Sequence, residues 1–530
     1  MPYSTSTFKA LELYALYRVY DAIAEVLVKK NLFRLSVLSL ITILLALSAI
    51  TILAGDYGFQ AYTQEQEFRQ REFTDEPGHP DIYDPNLHAE VVVEGLELPT
   101  TMAFLDSNDI LVLEKEKGTV QRVVNGKILP QPLLDVNVAG FIERCMCGIA
   151  VSRDTPGHTY VFLFYTESQT ADRDDMTANP KAPLGNRLYR YELVDNRLVN
   201  PKMLLDLPAD PGPRHNGGEV LIGPDNNLYI SVGDVDGAFK GEQWQTLTLN
   251  YQDGSEVDGR SGILRITQDG GPVPDGGILG DEPPLSMYYA YGIRNTYGMD
   301  FDPIAGNLWS TENGPGNSDE INLMLPGFNS GWQEVMGIAA LEEGFDPTDI
   351  VDFDGAGVYR DPELVWRNTA GPTALKFLHS DRLGSQYQND IFVGDVHNGR
   401  LYHFDLNQER TGLVLPEALA DKIIQTPTSS GLEDIIFGQG FAGITDVEVG
   451  PDGYLYVVSI GQGKIFKIVP GGPQSPPPPL SFPGGEQVPM ADEEEVPTVD
   501  EEEEEDTDDS APSQDNGEDS EATNSQDNLF

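Results

Sequence analysis

The sequence predicts an all-β protein and, within that class, a six-bladed β-propeller. Composition is the first observation: 530 residues with 54 Gly and 38 Pro suit many turns rather than long helices. A recurring pattern is the second, with apolar residues, a turn built on Asp, Pro or Gly, and then a strand of β-branched and aromatic residues. Spacing is the third. Copies stand roughly 50 to 80 residues apart, too far for a solenoid of short repeats but enough for a four-stranded blade with its loops.

Taken in order, the copies are "MAFLDSNDILVLE" (102–114), "IAVSRDTPGHTYVFLFYT" (149–166), "VLIGPDNNLYISVGD" (220–234), "MDFDPIAGNLWSTEN" (299–313), "LKFLHSDRLGSQYQNDIFVGD" (375–395) and "VEVGPDGYLYVVS" (447–459). "HAEVVVEGLELP" (88–99) and "GKIFKIVP" (463–470) are placed as first and last strands that close the ring, so the propeller is read as 88–470. A tandem of β-sandwiches is the alternative architecture.

The flanks have other compositions. Residues 35–54, "LSVLSLITILLALSAITILA", form a charge-free run long enough to span a hydrocarbon core of ~30 Å. It reads as a single transmembrane signal anchor, with a cleaved signal peptide as the rival. Segment 1–34 carries five Lys/Arg against three acids, which places it in the cytoplasm and the propeller outside the cell membrane. Residues 55–87 read as a stalk. From 471 to 530 the chain is Pro-rich and then acidic, with 19 Asp/Glu and no Lys or Arg, a composition that predicts a disordered tail. The net charge of -53 falls to -34 when those 19 acids are set aside, so the body itself is acidic and a nucleic-acid partner is excluded.

The two cysteines, Cys145 and Cys147, stand in "ERCMCGIAV". An i, i+2 pair lies on one side of a strand, where a disulfide closes a very short loop. Reduced, packed thiols are the expectation, with a labile disulfide or a metal contact as the other readings.

Candidate chemistry sits at strand edges. In "PGPRHNGGEV", His215 is a near-neutral base ahead of Asn216-Gly217-Gly218, whose glycines let a ligand approach the backbone. Asp234, at the end of the following strand, is placed to orient the imidazole. Arg294 and Asn295 in "YAYGIRNTYGMDFDP" suit an oxygen that gains negative charge. In "ENGPGNSDEIN", the carbonyls around Gly314-Pro315 together with Asp319 and Glu320 supply hard oxygen ligands for Ca²⁺. Each segment also has a structural reading, as a satisfied loop histidine, a paired arginine or a plain turn.

These segments, with "LPTTMAFLDSNDILVLEKEKGTVQRV", "GRSGILRITQDG" and "ITDVEVGPDGYLYVVSIGQGKIFKI", occur in an order that resembles the glucose/sorbosone dehydrogenase family. Its members are quinoproteins carrying pyrroloquinoline quinone (PQQ) on a six-bladed propeller, and the resemblance covers about Val91 to Pro470. It implies that His215 takes the proton from a sugar C1 hydroxyl as hydride passes to the quinone, with Asp234 beside it. It implies that Arg294 polarises the quinone oxygen, Asn295 contacts the cofactor, and the carbonyls of Gly314 and Pro315 hold a bridging calcium. Glu320 matches a ligand of a further, structural calcium. The sequence departs from the family where a cofactor-binding lysine should stand, at His397, and where two arginines should grip the quinone carboxylates, at Gly443 and Thr445. Cofactor binding then falls to His397 or Arg400 as substitutes, and a sugar-contacting glutamine of the family would lie near Glu143. The implied activity is oxidation of an aldose to its lactone, with PQQ and Ca²⁺ as cofactors and a separate electron acceptor. A non-catalytic propeller that binds glycan or protein, and a calcium-dependent lactonase in which His215 activates water, are the rival functions.

Overall fold

The computed structural model describes residues 79–169, 183–342 and 344–471. The expected membrane span at 35–54, its cytoplasmic flank, most of the stalk and the acidic tail lie outside the described residues. Among the described residues no helix is long and apolar enough to cross a membrane.

The fold is an all-β propeller, and every recurrent copy becomes a hairpin that starts one sheet. These hairpins pair Pro99–Asp106 with Asp109–Glu114, Met146–Ser152 with Tyr160–Glu167, and Val220–Ile222 with Leu228–Val232. The later three pair Met299–Phe301 with Leu308–Glu312, Pro372–Phe377 with Ile391–Asp395, and Ile444–Val449 with Leu455–Ser459. Two of the turns share one device. In "GPDNN" the Asp225 carboxylate accepts the Asn227 amide at 3.2 Å and the Tyr229 hydroxyl at 3.1 Å. In "GPDG" Asp452 accepts the Tyr454 amide at 3.3 Å and the Tyr456 hydroxyl at 2.9 Å. The aspartate of the turn thus anchors the strand that follows, which is why the pattern is visible in sequence.

Further strands extend the hairpins to six sheets of four to six strands. Apolar clusters lie between successive sheets. Leu111, Leu113 and Val120 pack on Ile149, Val161 and Leu163, and Phe162, Phe164 and Leu188 pack on Leu228, Ile230 and Leu264. Tyr229 and Ile263 meet Met299 and Leu308; Trp309 and Leu323 meet Leu375 and Val393; Phe392 and Leu401 meet Val447 and Val457. Val458 and Ile465 return to Met102, Ile110 and Val112, closing the sequence of contacts. Truncating one of these fully buried residues to Ala costs about 2–5 kcal/mol.

The last sheet is completed by an early strand, Leu87–Glu94, which pairs antiparallel with Lys464–Pro470. Sheet structure starts inside the segment read as stalk. Asp81–Ile82 pairs with Gly438 and Gln439, and the Tyr387 hydroxyl donates to Asp84 at 2.9 Å. The apolar Ile82, sunk into the core at 6% exposure, explains the difference.

The cysteines also differ from the expected reduced thiols: Cys145 and Cys147 form a disulfide with Cα atoms 5.2 Å apart. The physical reason is a register shift between Met146 and Gly148, which bends the strand at Cys147 and brings the two sulfurs together.

Candidate active site

His215 closes a loop that starts at the end of the second sheet, and its backbone is left-handed at φ 57°. Its amide donates to Glu143 Oε2 at 2.6 Å, and ring Nδ1 lies 2.6 Å from Asp234 Oδ1. A carboxylate at Nδ1 keeps the proton there and leaves Nε2 with its lone pair. That Nε2 is buried and has no protein partner. Asp234 also accepts the Trp332 indole N–H at 2.9 Å. Burial pushes the Asp234 carboxyl upward, but His215, Arg294 and Trp332 together hold it below the usual range.

The imidazole is not open to solvent: His215 is only 5% exposed. The glycines beside it serve the protein itself rather than a ligand. A Cβ on Gly217 would stand 2.6 Å from Ser231 O, and one on Gly218 2.6 Å from the Cβ of Cys147. Asn216 is fully buried, donating to Pro213 O and accepting from Asn186.

The Arg294–Asn295 pair reaches the same place, since the Asp234 amide donates to Arg294 O at 2.9 Å. Arg294 Nη1 donates to Asn313 O at 2.7 Å, and the guanidinium lies 5.4 Å from the Trp332 ring centroid. Asn295 Nδ2 donates to Glu143 Oε2 at 3.0 Å. Four buried polar atoms of this group, Arg294 Nε, Asn295 Oδ1, Asn313 Oδ1 and Glu143 Oε1, have no partner, as His215 Nε2 has none. Buried polar groups are nearly always paired, so such a concentration marks a place built for a polar ligand. Trp332, Asn313 and the bracing role of Glu143 were not seen in the sequence. The only signal was the acid and amide closing the fourth repeat copy.

Gly314 and Pro315 form a tight turn in which a Cβ on Gly314 would meet Asn317 O at 1.8 Å. Asp319, expected to ligate metal here, instead braces the turn: its oxygens accept the amides of Gly314, Ala370 and Gly371, each at 2.8 Å. Glu320 is the next residue in the strand and so faces the other way. It stands opposite Glu312, with both carboxylates buried. Glu320 accepts from Asn322 at 2.9 Å and Glu312 from Ser330 at 2.7 Å, while Asn322 Oδ1 has no partner. Burial raises Glu312 to about 7, and burial followed by Glu312 raises Glu320 well above its ordinary value. Two carboxylates, an amide oxygen and a hydroxyl are a hard oxygen set that fits Ca²⁺.

The departures from the family pattern form another group. His397 Nδ1 lies 3.4 Å from Thr369 O, and the ring is near enough to Asp319 to lower its pKa, against the larger upward push of burial. Buried Arg400 sits where its charge acts on Asp395 and Tyr402. Thr445 donates to Pro99 O at 3.0 Å. Positions 443 and 445 carry Gly and Thr, so no guanidinium stands at either.

Comparison with known proteins decides the family. The model for Glucose / Sorbosone dehydrogenase matches residues 96–467, most of the chain. The chain belongs to the glucose/sorbosone dehydrogenase family. Within it, the chain is similar to the aldose sugar dehydrogenase of Escherichia coli K12, at 26% identity over 72% of this chain and 93% of the relative. Quinoprotein glucose dehydrogenase B of Acinetobacter calcoaceticus matches at 28% identity over 48% of this chain and 53% of its own. The PQQ-bound aldose sugar dehydrogenase of Streptomyces coelicolor shares the fold of this family member, with a TM-score of 0.51 at 23% identity over 72% of this chain and 98% of that one.

Proposed function

We propose that this member of the family is a quinoprotein aldose dehydrogenase that oxidises a sugar at C1 to the lactone. One observation carries the reading: a buried imidazole whose Nδ1 is held by Asp234 while its Nε2 is left with no partner. Nε2 is the atom that takes the proton from the C1 hydroxyl. Asp234 stabilises the imidazolium so formed, and Trp332 keeps the carboxylate turned toward the ring. When bound, PQQ supplies the hydride acceptor. Arg294 and Asn295 would hold its reacting edge, with the carbonyls of Gly314 and Pro315 offered to a bridging Ca²⁺.

We read each of the six sheets as one blade, with Leu87–Glu94 closing the ring. We also place the propeller outside the cell membrane, anchored through residues 35–54. The Cys145–Cys147 disulfide supports an oxidising compartment.

Reconstitution with PQQ and Ca²⁺, followed by dye reduction on adding aldoses, tests the function. Saturable sugar-dependent reduction that disappears in His215→Ala is the expected result. A folded protein that binds no PQQ up to millimolar concentration would overturn it. The substituted positions Gly443 and Thr445 would then favour a propeller devoted to glycan or protein recognition.

A further inference from the structure

We propose that the Cys145–Cys147 disulfide is a latch on the segment bearing Glu143, and that Glu143 is the positioning residue for His215, so that opening the disulfide lowers turnover while the propeller stays folded. Its activity readout rests on the dehydrogenase reading; its structural readout does not.

Glu143 is 2% exposed, and its Oε2 gathers three donors: the His215 amide at 2.6 Å, Asn295 Nδ2 at 3.0 Å and the Tyr297 hydroxyl at 2.9 Å. One oxygen thus ties the loop of the base to the segment of the polarising arginine. The left-handed backbone of His215 is unfavourable for a residue with a β-carbon and needs such an external hold. Glu143 must itself be held. Its own amide makes a long bond, 3.3 Å to Pro213 O; its neighbours are tied by Arg144 Nη2 to Ala209 O at 2.8 Å and by the Met146 amide to Lys115 O at 3.0 Å, while the ladder of the following strand is interrupted at Cys147. The disulfide spans that interruption. Cys145 is buried, Cys147 is partly exposed, and the Cβ of Cys147 rests against Gly218, three residues after His215. The catalytic loop is therefore gripped from one side by Glu143 and from the other by the disulfide.

A three-residue ring restricts the unfolded chain very little, so this bond is poorly suited to be a global staple. Reduction transfers two electrons and two protons from an external dithiol. Attack at Cys147, the more accessible sulfur, gives a mixed disulfide; the dithiol then closes on itself and leaves two protein thiols. Two unbonded sulfurs need more room than a bonded pair, and Gly218 blocks one direction, so the 143–147 segment is the part that yields.

The test uses the full chain, reduced with dithiothreitol and desalted before PQQ and Ca²⁺ are added. Two thiols should appear in the native protein, kcat should fall on the order of tenfold with KM within twofold, and amide exchange at 214–218 should speed up; reoxidation should reverse all three. Glu143→Ala should show the low kcat in both states, with no further loss on reduction, and Glu143→Gln, which keeps an acceptor oxygen, should recover part of it. Unchanged kcat and exchange after reduction, global unfolding on reduction, or a Glu143→Ala protein that still loses tenfold would each overturn the latch. If no form oxidises sugar, the dehydrogenase reading fails separately, and exchange at 214–218 alone decides: faster upholds the latch, unchanged overturns it.

Discussion

Two halves of the candidate site treat their polar groups in opposite ways. Around His215, Arg294, Asn295 and Asn313, each side chain has one polar atom held by the protein and another with no partner. Around Asp395, Arg400 and Thr445 the polar groups are bonded within the protein. Asp395 accepts from Asn398 and Tyr402, Thr445 from its hydroxyl serves Pro99 O, and among the described residues none from 369 to 461 leaves a buried side-chain nitrogen or oxygen without a partner. The difference teaches that the group around His215 keeps unpartnered polar atoms available to a ligand, whereas the group around Asp395 satisfies its own. Chemistry and affinity can be separated in such a site.

The largest effect that would break the comparison comes from the base. His215→Ala should lower sugar-dependent dye reduction about 10³-fold, read as kcat, with the thermal transition preserved; retention of activity would remove the distinction. Next come the paired carboxylates. In calcium-free protein, Glu312 titrates near 7 instead of near 4.5, so the folded state binds the extra proton and stability falls as pH rises between those values, by about 3 kcal/mol. Denaturant titrations from pH 4.5 to 7.5 should show that slope, Glu312→Gln should reduce it, leaving the share of buried Glu320, and Ca²⁺ should cancel it. A smaller effect sharpens the comparison from the other side. Thr445→Arg places a guanidinium in the half around Asp395 and should tighten PQQ binding about tenfold by fluorescence titration, at the scale of one charge-assisted hydrogen bond. Gly443 is the poorer choice, because its φ of 85° disfavours any side chain. The smallest effect is the control: Val358→Ser, at a surface residue 61% exposed, should change stability and PQQ affinity by no more than about 0.5 kcal/mol.

Sequence made the hairpins legible because the whole signal is local. Asp225 and Asp452 each sit four residues before the tyrosine they anchor, so one short pattern carries turn, strand and register. His215, Asp234, Arg294 and Asn295 were legible for a related reason, as polar residues at strand ends where a core has no use for them. What was hidden depends on distant pairing. Trp332 reaches Asp234 across 98 positions and Glu143 reaches Asn295 across 152, and nothing in either neighbourhood announces the partner. Glu312 was overlooked because its meaning comes from Glu320 on the adjacent strand. Asp319 differs from its expected use because, in sequence, a carboxylate after a Gly-Pro turn looks the same whether it awaits a cation or three amides. The disulfide was misjudged because a bulge leaves no mark in the alternation of residue types.

The sheet shared by Leu87–Glu94 and Lys464–Pro470 has a consequence for timing. Leu87–Glu94 has no partner until Lys464–Pro470 arrives, so this sheet cannot be completed until nearly all of the propeller has been made. Through that interval an apolar edge waits unpaired, open to the wrong neighbour. Cleavage that removes either strand after the ring has closed should reopen the same edge, which makes the two ends of the domain a single point of vulnerability.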